Sequence, residues 1–102
     1  MIQARFQKQN GKLTGFEISG HAGVAARGKD VACAAVSSAV QLTVNLLAEF
    51  GCKPEASAAG SVKCRITDEP DCGDRIIARL MAHLGSILEE FPKSINITIS
   101  EV

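Results

Sequence analysis

The chain has 102 residues, of which 46% are hydrophobic and 22% charged, so its length and composition predict one folded domain spanning 1–102 and exclude a disordered chain. Eleven basic and eleven acidic residues cancel, and Trp and Tyr are absent; the sequence therefore lacks the basic stripe or stacking aromatics typical of a nucleic-acid-binding protein. It shows neither a signal-peptide core nor an apolar run approaching the ~18–20 residues of a membrane helix. We expect a cytoplasmic protein that contacts neither nucleic acid nor a membrane.

The first half of the chain predicts a hairpin followed by a long helix. Apolar and polar residues alternate over 2–9 and again over 12–20, which is the period of a half-buried strand. Between these strands, Asn10-Gly11 is a strong signal for a type I′ turn, because both central residues of that turn need positive φ. A loop of small residues follows over 22–29. An apolar periodic run then predicts a helix from about residue 31 to residue 50.

The second half predicts a strand, a helix and a last strand. Residues 52–60 resemble a loop with room for one short strand near 56–59, and residues 62–66 alternate as a strand does. A second helix starts at the turn formed by residues 68–71, and its apolar stripe runs to Phe91. Gly85 weakens this helix, and we expect it to permit close packing against the first helix. Alternation from Ile95 to Ile99 predicts the last strand.

The predicted order is therefore β-β-α-β-α-β, with one further short strand. Strand pairs joined by short turns favour antiparallel neighbours. We expect an α+β fold with a mixed, mainly antiparallel sheet of about five strands, whose two helices cover one face.

The four cysteines show no C-x-x-C spacing, so the pattern of a zinc ribbon or thioredoxin motif is absent. Free thiols are expected in the cytoplasm, and disulfides are not. Cys64 alternates with charged residues as a buried strand residue would. Cys72 falls near the start of the second helix and is the rival candidate to Cys33 for a reactive thiol. His83 lies off the apolar stripe, so we expect it to be solvated and give it no role.

Four reactive residue types lie close together in the segment from residue 20 to residue 37. Asp30 is suited to cap the first helix, and Cys33 would then be its third residue, where the helix dipole favours thiolate. Asp30, Cys33 and Ser37 are spaced i, i+3 and i+7 and so share one helix face. His21 ends the preceding strand, within reach of that face. These groups predict an activated nucleophile.

Each of these residues also has a purely structural interpretation. Cys33 fits a small core residue, and His21 a turn residue bound to a backbone carbonyl. Asp30 stabilises the helix as a cap without any chemistry, and Ser37 is able to donate to the carbonyl of residue 33. His21, Asp30 and Cys33 would make three zinc ligands. Because no second histidine stands at helical spacing and no Cys pair is present, we predict neither a metal site nor another cofactor.

The pattern of His21, Gly28, Asp30, Cys33-Ala34 and Ser37 resembles the bacterial ribosomal-processing cysteine proteases, the Prp family. In that family a histidine stands twelve residues before a cysteine, with Asp three residues before that cysteine and Ser four after it. The resemblance implies that Cys33 is the nucleophile and His21 the general base, with Asp30 and Ser37 in support.

Substrate would lie against the small residues of the loop, since small residues let the backbone approach a peptide closely. The predicted substrate-binding residues are Gly20, Ala22, Gly23 and Gly28. We further expect backbone amides near the start of the first helix, including that of Cys33, to bind the oxyanion.

The resemblance also implies the substrate and the assembly. Such proteases remove the N-terminal extension of large-subunit ribosomal protein twenty-seven, cleaving after a pair of phenylalanines, and are homodimers. Two alternatives stay open from the sequence. One is a non-catalytic α+β module that binds a ribosomal protein or assembly factor, with Cys33 in its core. The other is a redox-sensing thiol at Cys33.

Overall fold

The structure is a computed structural model that describes residues 1–20, 27–58 and 61–102, with side chains in the first helix described from residue 31 onward. It contains, in chain order, β1 (Ile2–Gln9), β2 (Lys12–Ser19), α1 (Arg27–Glu49), β3 (Glu55–Ala58), β4 (Ser61–Arg65), α2 (Pro70–Glu90) and β5 (Ile95–Glu101). The predicted order of elements is confirmed, and the short extra strand is β3.

The five strands form one mixed sheet in the order β3-β4-β2-β1-β5. Three neighbouring pairs are antiparallel, and only β1 and β5 pair in parallel. Asn10 and Gly11 have φ of 54° and 77° in the β1–β2 turn, which confirms the predicted left-handed turn. The predicted mixed, mainly antiparallel α+β fold is therefore confirmed.

One face of the sheet carries the core. The alternation in β1 and β2 places Phe6 opposite Phe16, with ring centroids 6.1 Å apart and both side chains fully buried. Cys64 of β4 is the next residue in this row. The other core residues on the sheet and its flanks include Ile2, Ala4, Leu13, Ile18, Ile66 and Ile95.

The opposite face of the sheet is polar and open. Glu17 of β2 lies between Arg5 and Lys63, and its carboxylate oxygens are 3.7 Å from the cationic nitrogen of each. Exposed ion pairs of this kind add little stability. The polar face therefore leaves both helices on the apolar side, as the period-2 pattern predicts.

α2 is anchored to the β1–β2 hairpin at its first turns. The Asp74 carboxylate accepts a hydrogen bond from the Leu13 amide at 2.8 Å, and Lys12 pairs with Asp71. Gly73 is buried against the Ile66 side chain, where an added Cβ would clash. At Gly85, in contrast, an added Cβ would meet nothing within 4 Å. The predicted close approach at Gly85 was wrong, because the tight contact is one that α2 makes with Ile66 through Gly73.

α1 is more apolar than the sequence analysis allowed. Residues Val31–Glu49 form a 19-residue stretch of mean hydropathy 1.7, long and apolar enough by length and composition to cross a membrane. The prediction that no such run exists was therefore wrong. One side of the helix nevertheless contributes Ala32, Val36, Val40 and Leu47 to the core, and α1 packs against α2. Only 28% of the apolar stretch is buried, so α1 has one side in the core and an exposed apolar side.

Candidate active site

α1 begins at Arg27, one turn earlier than predicted. Asp30 is consequently the fourth helical residue, and the prediction that it caps the helix was wrong. The physical reason is that a glycine such as Gly28 weakens a helix by about 1 kcal/mol without stopping it. Residues 27–29, predicted as loop, are therefore helical.

This earlier start also moves Cys33 deeper into the helix. Cys33 is the seventh helical residue rather than the third. The dipole effect is confined to the first turn, and only the first four amides of a helix lack an internal carbonyl partner. The predictions that Cys33 feels the helix dipole and that its amide binds the oxyanion were therefore wrong for this structure.

Cys33 lies half-buried on the wall of a cavity of about 250 Å³, which we call the Cys33 cleft. The cleft lies between the start of α1 and the ends of β2 and β4. Gly20 and Ser37, two of the predicted site residues, line it with Cys33. The remaining described residues of its wall are Ile2, Ile18, Ser19, Val36, Ala58, Ser61 and Val62.

Gly20 has a backbone conformation that favours glycine. Its φ is 82°, and a Cβ at this position would lie 2.9 Å from the carbonyl oxygen of Met1. Both the positive φ and the close backbone approach disfavour any side chain. Because His21 follows Gly20 directly in the sequence, this turn determines how the chain leaves β2 beside the Cys33 cleft.

The Ser37 hydroxyl is available in the cleft. Ser37 lies one helical turn after Cys33 and is exposed. It makes no hydrogen bond within the part of the chain that the structure describes, so the structural alternative for Ser37, a bond to the carbonyl of residue 33, is not formed. Thr43 shows what that bond looks like, since its hydroxyl donates to the Ala39 carbonyl at 2.7 Å. The Ser37 hydroxyl is thus left to bind a ligand or a neighbouring side chain.

A second cavity of about 380 Å³ continues from the Cys33 cleft along α1. We call it the apolar groove; its walls are mainly apolar and include Val40 and Val44 of α1 and Ala56 of β3, together with residues shared with the cleft. Its other described wall residues are the polar Gln41, Asn45 and Ser57. The shared residues are Ile18, Val36, Ser37, Ala58 and Val62. Among the described residues, no charged side chain lines either cavity. The combined space therefore suits an uncharged, largely apolar chain segment.

This groove was not predicted, because the substrate was placed against the small residues of the loop alone. The signal was the short alternation around Ala56 and Ala58, whose small side chains leave the inner face of β3 exposed. An edge strand with small inward residues opposite a valine stripe leaves space between helix and sheet.

The other cysteines have different surroundings. Cys52 and Cys64 are buried, and burial raises the pKa of the Cys64 thiol to about 11. The interpretation of Cys64 as a buried strand residue is therefore confirmed. Cys72 is half-buried near the start of α2, as predicted, but no histidine is among the described residues of the cavity that it lines. His83 is exposed, as expected.

Several predicted site residues are not described. His21, Ala22 and Gly23 lie outside the described residues, and Gly28 and Asp30 are described only as backbone of α1. Within the described ranges, no three His, Cys, Asp or Glu side chains form a group able to hold a metal ion. The structure thus brings together Cys33, Ser37 and Gly20, while the roles of all the predicted site residues stay predictions.

The sequence model of the family described as cysteine protease Prp matches residues 1–96. The chain belongs to this family. It is accordingly a cysteine protease. A comparison with curated protein sequences found no match.

Solved structures show the same fold. The ribosomal processing protease Prp from S. aureus with a substrate peptide has a TM-score of 0.87 and 24% identity, over 98% of this chain and 100% of that one. The same S. aureus protein with a covalently linked product peptide has a TM-score of 0.85, also at 24% identity and with the same coverage. SMU.848 from Streptococcus mutans has a TM-score of 0.84 at 24% identity, over 100% of this chain and 96% of the other.

Proposed function

We propose that this Prp-family protease is an endopeptidase in which Cys33 is the nucleophile and His21 the general base. The observation that carries the proposal is the position of Cys33 on a cleft that Gly20, the residue before His21, also lines. The continuous apolar groove provides room for a peptide beside the thiol.

In this mechanism His21 accepts the proton of the Cys33 thiol as the sulfur attacks the scissile carbonyl carbon. The tetrahedral intermediate collapses to a thioester, and His21 gives its proton to the leaving amine. A water, deprotonated by His21, then attacks the thioester, and the acid product leaves with the thiol restored. Asp30 and Ser37 support this site. Since the Cys33 amide lies within the helical ladder, we assign the oxyanion to other donors of the site.

The substrate that we propose is the N-terminal extension of large-subunit ribosomal protein twenty-seven, cleaved after a pair of phenylalanines. The uncharged apolar groove supports this substrate, since a Phe side chain buries a large apolar area. The family membership and the description of the S. aureus neighbour as a ribosomal processing protease support it as well. Gly20, Ala22, Gly23 and Gly28 would lie against the peptide backbone.

Cleavage of a synthetic peptide that spans the extension and its paired phenylalanines tests the proposal. We expect cleavage by the natural chain and loss of cleavage in Cys33→Ser. This change replaces one sulfur by oxygen, which preserves the fold but leaves a weaker nucleophile. His21→Ala should lower kcat far more than it raises KM, because a general base acts in the transition state.

Cys72→Ser is the matched control, because it removes the other half-buried thiol without touching the cleft. It should cleave as the natural chain does. Cleavage retained in Cys33→Ser and lost in Cys72→Ser would place the nucleophile at Cys72. No cleavage by the natural chain, with the peptide still bound, would favour the non-catalytic module.

We also propose that the protein is a cytoplasmic homodimer. Val31 and Leu42 of α1 are 55% and 60% exposed, and such apolar surface suits a second copy. Sedimentation velocity should show a dimer that Leu42→Gln weakens and that the neighbouring exposed change Gln41→Ala leaves intact.

Fractionation of cells should recover the chain with the cytoplasm; recovery with membranes would contradict that location.

A further inference from the structure

Two thiols meet where the end of α1 approaches the start of α2. Cys52 follows α1 and is fully buried, whereas Cys72 is half-buried in the first turn of α2. The two thiols are near enough for Cys72 to contribute to the raised pKa of the Cys52 thiol. The Cys52 sulfur also lies 3.8 Å from the carbonyl oxygen of Glu69, one turn before Cys72.

The backbone around the two thiols is fixed by hydrogen bonds. The Cys52 amide donates to the Leu47 carbonyl at 2.9 Å, and its own carbonyl accepts from Thr67 and Asp68 at 3.0 and 3.1 Å. The Gly73 amide donates to the Glu69 carbonyl at 2.9 Å, which closes the first turn of α2 around Cys72. The backbone segments that carry the two thiols are therefore held next to each other by the fold.

The two thiols differ in their access to solvent. Cys72 lines an open cavity of about 720 Å³ that is bordered by Phe50 and Arg75. Cys52 has no exposed surface. Burial first, and the neighbouring Cys72 second, raise the pKa of the Cys52 thiol. An oxidant in solution would thus reach Cys72 first, with Cys52 buried behind it.

We propose that Cys52 and Cys72 form a redox pair, separate from the Cys33 cleft, which hydrogen peroxide closes into a reversible disulfide. The Cys72 sulfur, as thiolate, attacks one peroxide oxygen; the O–O bond breaks, Cys72 becomes a sulfenic acid, and hydroxide leaves. The Cys52 sulfur then attacks the Cys72 sulfur and displaces a second hydroxide. With the two thiol protons, both hydroxides become water, so two thiols are oxidised and one peroxide is reduced.

The disulfide would join the two ends of the segment that carries β3 and β4. That segment supplies Ala58, Ser61 and Val62 to the Cys33 cleft. A cross-link limits the unfolded chain and so raises stability. Oxidation is therefore expected to raise the melting temperature by several degrees, and a dithiol reductant should reverse the rise.

The test uses Cys33→Ser, so that the nucleophile takes no part. After brief peroxide treatment of the folded protein, trypsin should yield residues 30–63 linked to residues 66–75, with the mass lowered by two hydrogens. Thiol titration in denaturant should fall from three thiols to one and return to three with dithiothreitol. The melting temperature should follow the same cycle.

The control is Cys33→Ser with Cys72→Ser, which should show neither the linked peptides nor the rise in melting temperature. Three results would overturn the proposal. They are oxidation of Cys72 to sulfinic acid with Cys52 unchanged, a link that forms only in denaturant, and a link between two chains. Since every protein in this test lacks Cys33, its result does not depend on the proposed protease mechanism.

Discussion

At Gly20, a single missing side chain determines how the chain approaches the Cys33 cleft. The residue combines a φ of 82° with a backbone contact that leaves no room for Cβ. Gly11 has a similar φ, 77°, but an added Cβ there would meet nothing within 4 Å. A substitution at Gly11 therefore tests the effect of a left-handed backbone alone, whereas one at Gly20 also displaces the backbone beside the Cys33 cleft.

We predict that Gly20→Ala lowers kcat/KM by about tenfold or more, because the turn before His21 must move to accommodate Cβ and small displacements of catalytic groups are costly. Gly11→Ala should lower the free energy of unfolding by about 1 kcal/mol and leave kcat/KM unchanged. Peptide-cleavage kinetics and thermal unfolding of both variants check this. Equal activity in the two variants would contradict a role for Gly20 at the site.

The elements differ in how well their limits could be predicted. Strong local signals determine β1, β2 and the turn at Asn10, so period and turn chemistry predicted them to within a residue. The start of α1 was missed because Gly28 and Asp30 resemble a boundary, while the helix continues through both. The apolar groove could not be predicted, because it depends on the distance between α1 and β3, which only tertiary packing sets.

The groove leads to a prediction about substrate binding. Ala58 of β3 is exposed and lines both the groove and the Cys33 cleft. Ala58→Phe should fill this space and raise KM by roughly tenfold for a peptide with apolar residues before the cleaved bond. Thr98→Phe, on the polar face of the other edge strand, is the control and should leave KM unchanged. An unchanged KM in Ala58→Phe would mean that the peptide binds elsewhere.

The anchor of α2 on the hairpin gives a prediction about stability. Asp74→Ala removes the acceptor of the Leu13 amide and should lower the free energy of unfolding by about 1–3 kcal/mol. Asp71→Ala removes an exposed ion pair with Lys12 and an acidic residue from the first turn of α2, and should cost less, because both interactions are screened by solvent. Urea unfolding of both variants measures the difference. The interpretation fails if Asp71→Ala proves the more damaging change.

At the scale of the whole molecule, the buried Cys64 thiol links stability to alkaline pH. Burial raises its pKa from 9.0 to about 11, so the folded protein retains a proton that the unfolded chain loses in this range. The stabilisation is complete below pH 9 and declines as the pH rises from 9 to 11. This group changes the free energy of unfolding by at most about 1.4 kcal/mol per pH unit.

We therefore predict that Cys64→Ala makes the free energy of unfolding less dependent on pH between 9 and 11, although the variant is less stable throughout. Ile66→Val is the control, since it removes buried volume near by without removing a titrating group, and should preserve the slope. Denaturant unfolding at a series of pH values measures both. Parallel curves for Cys64→Ala and the natural chain would show that Cys64 does not titrate in this range.

The parallel pairing of β1 with β5 has a consequence for the timing of synthesis. Ile2 pairs with Ile95, 93 residues later in the chain. At roughly 5–20 residues per second, β1 waits about 5–20 s after its own synthesis for this partner. During that interval Ile2, which also lines the Cys33 cleft, has only β2 beside its strand. The strand that carries Ile2 into the cleft wall thus gains its second neighbour only after β5 has been synthesised.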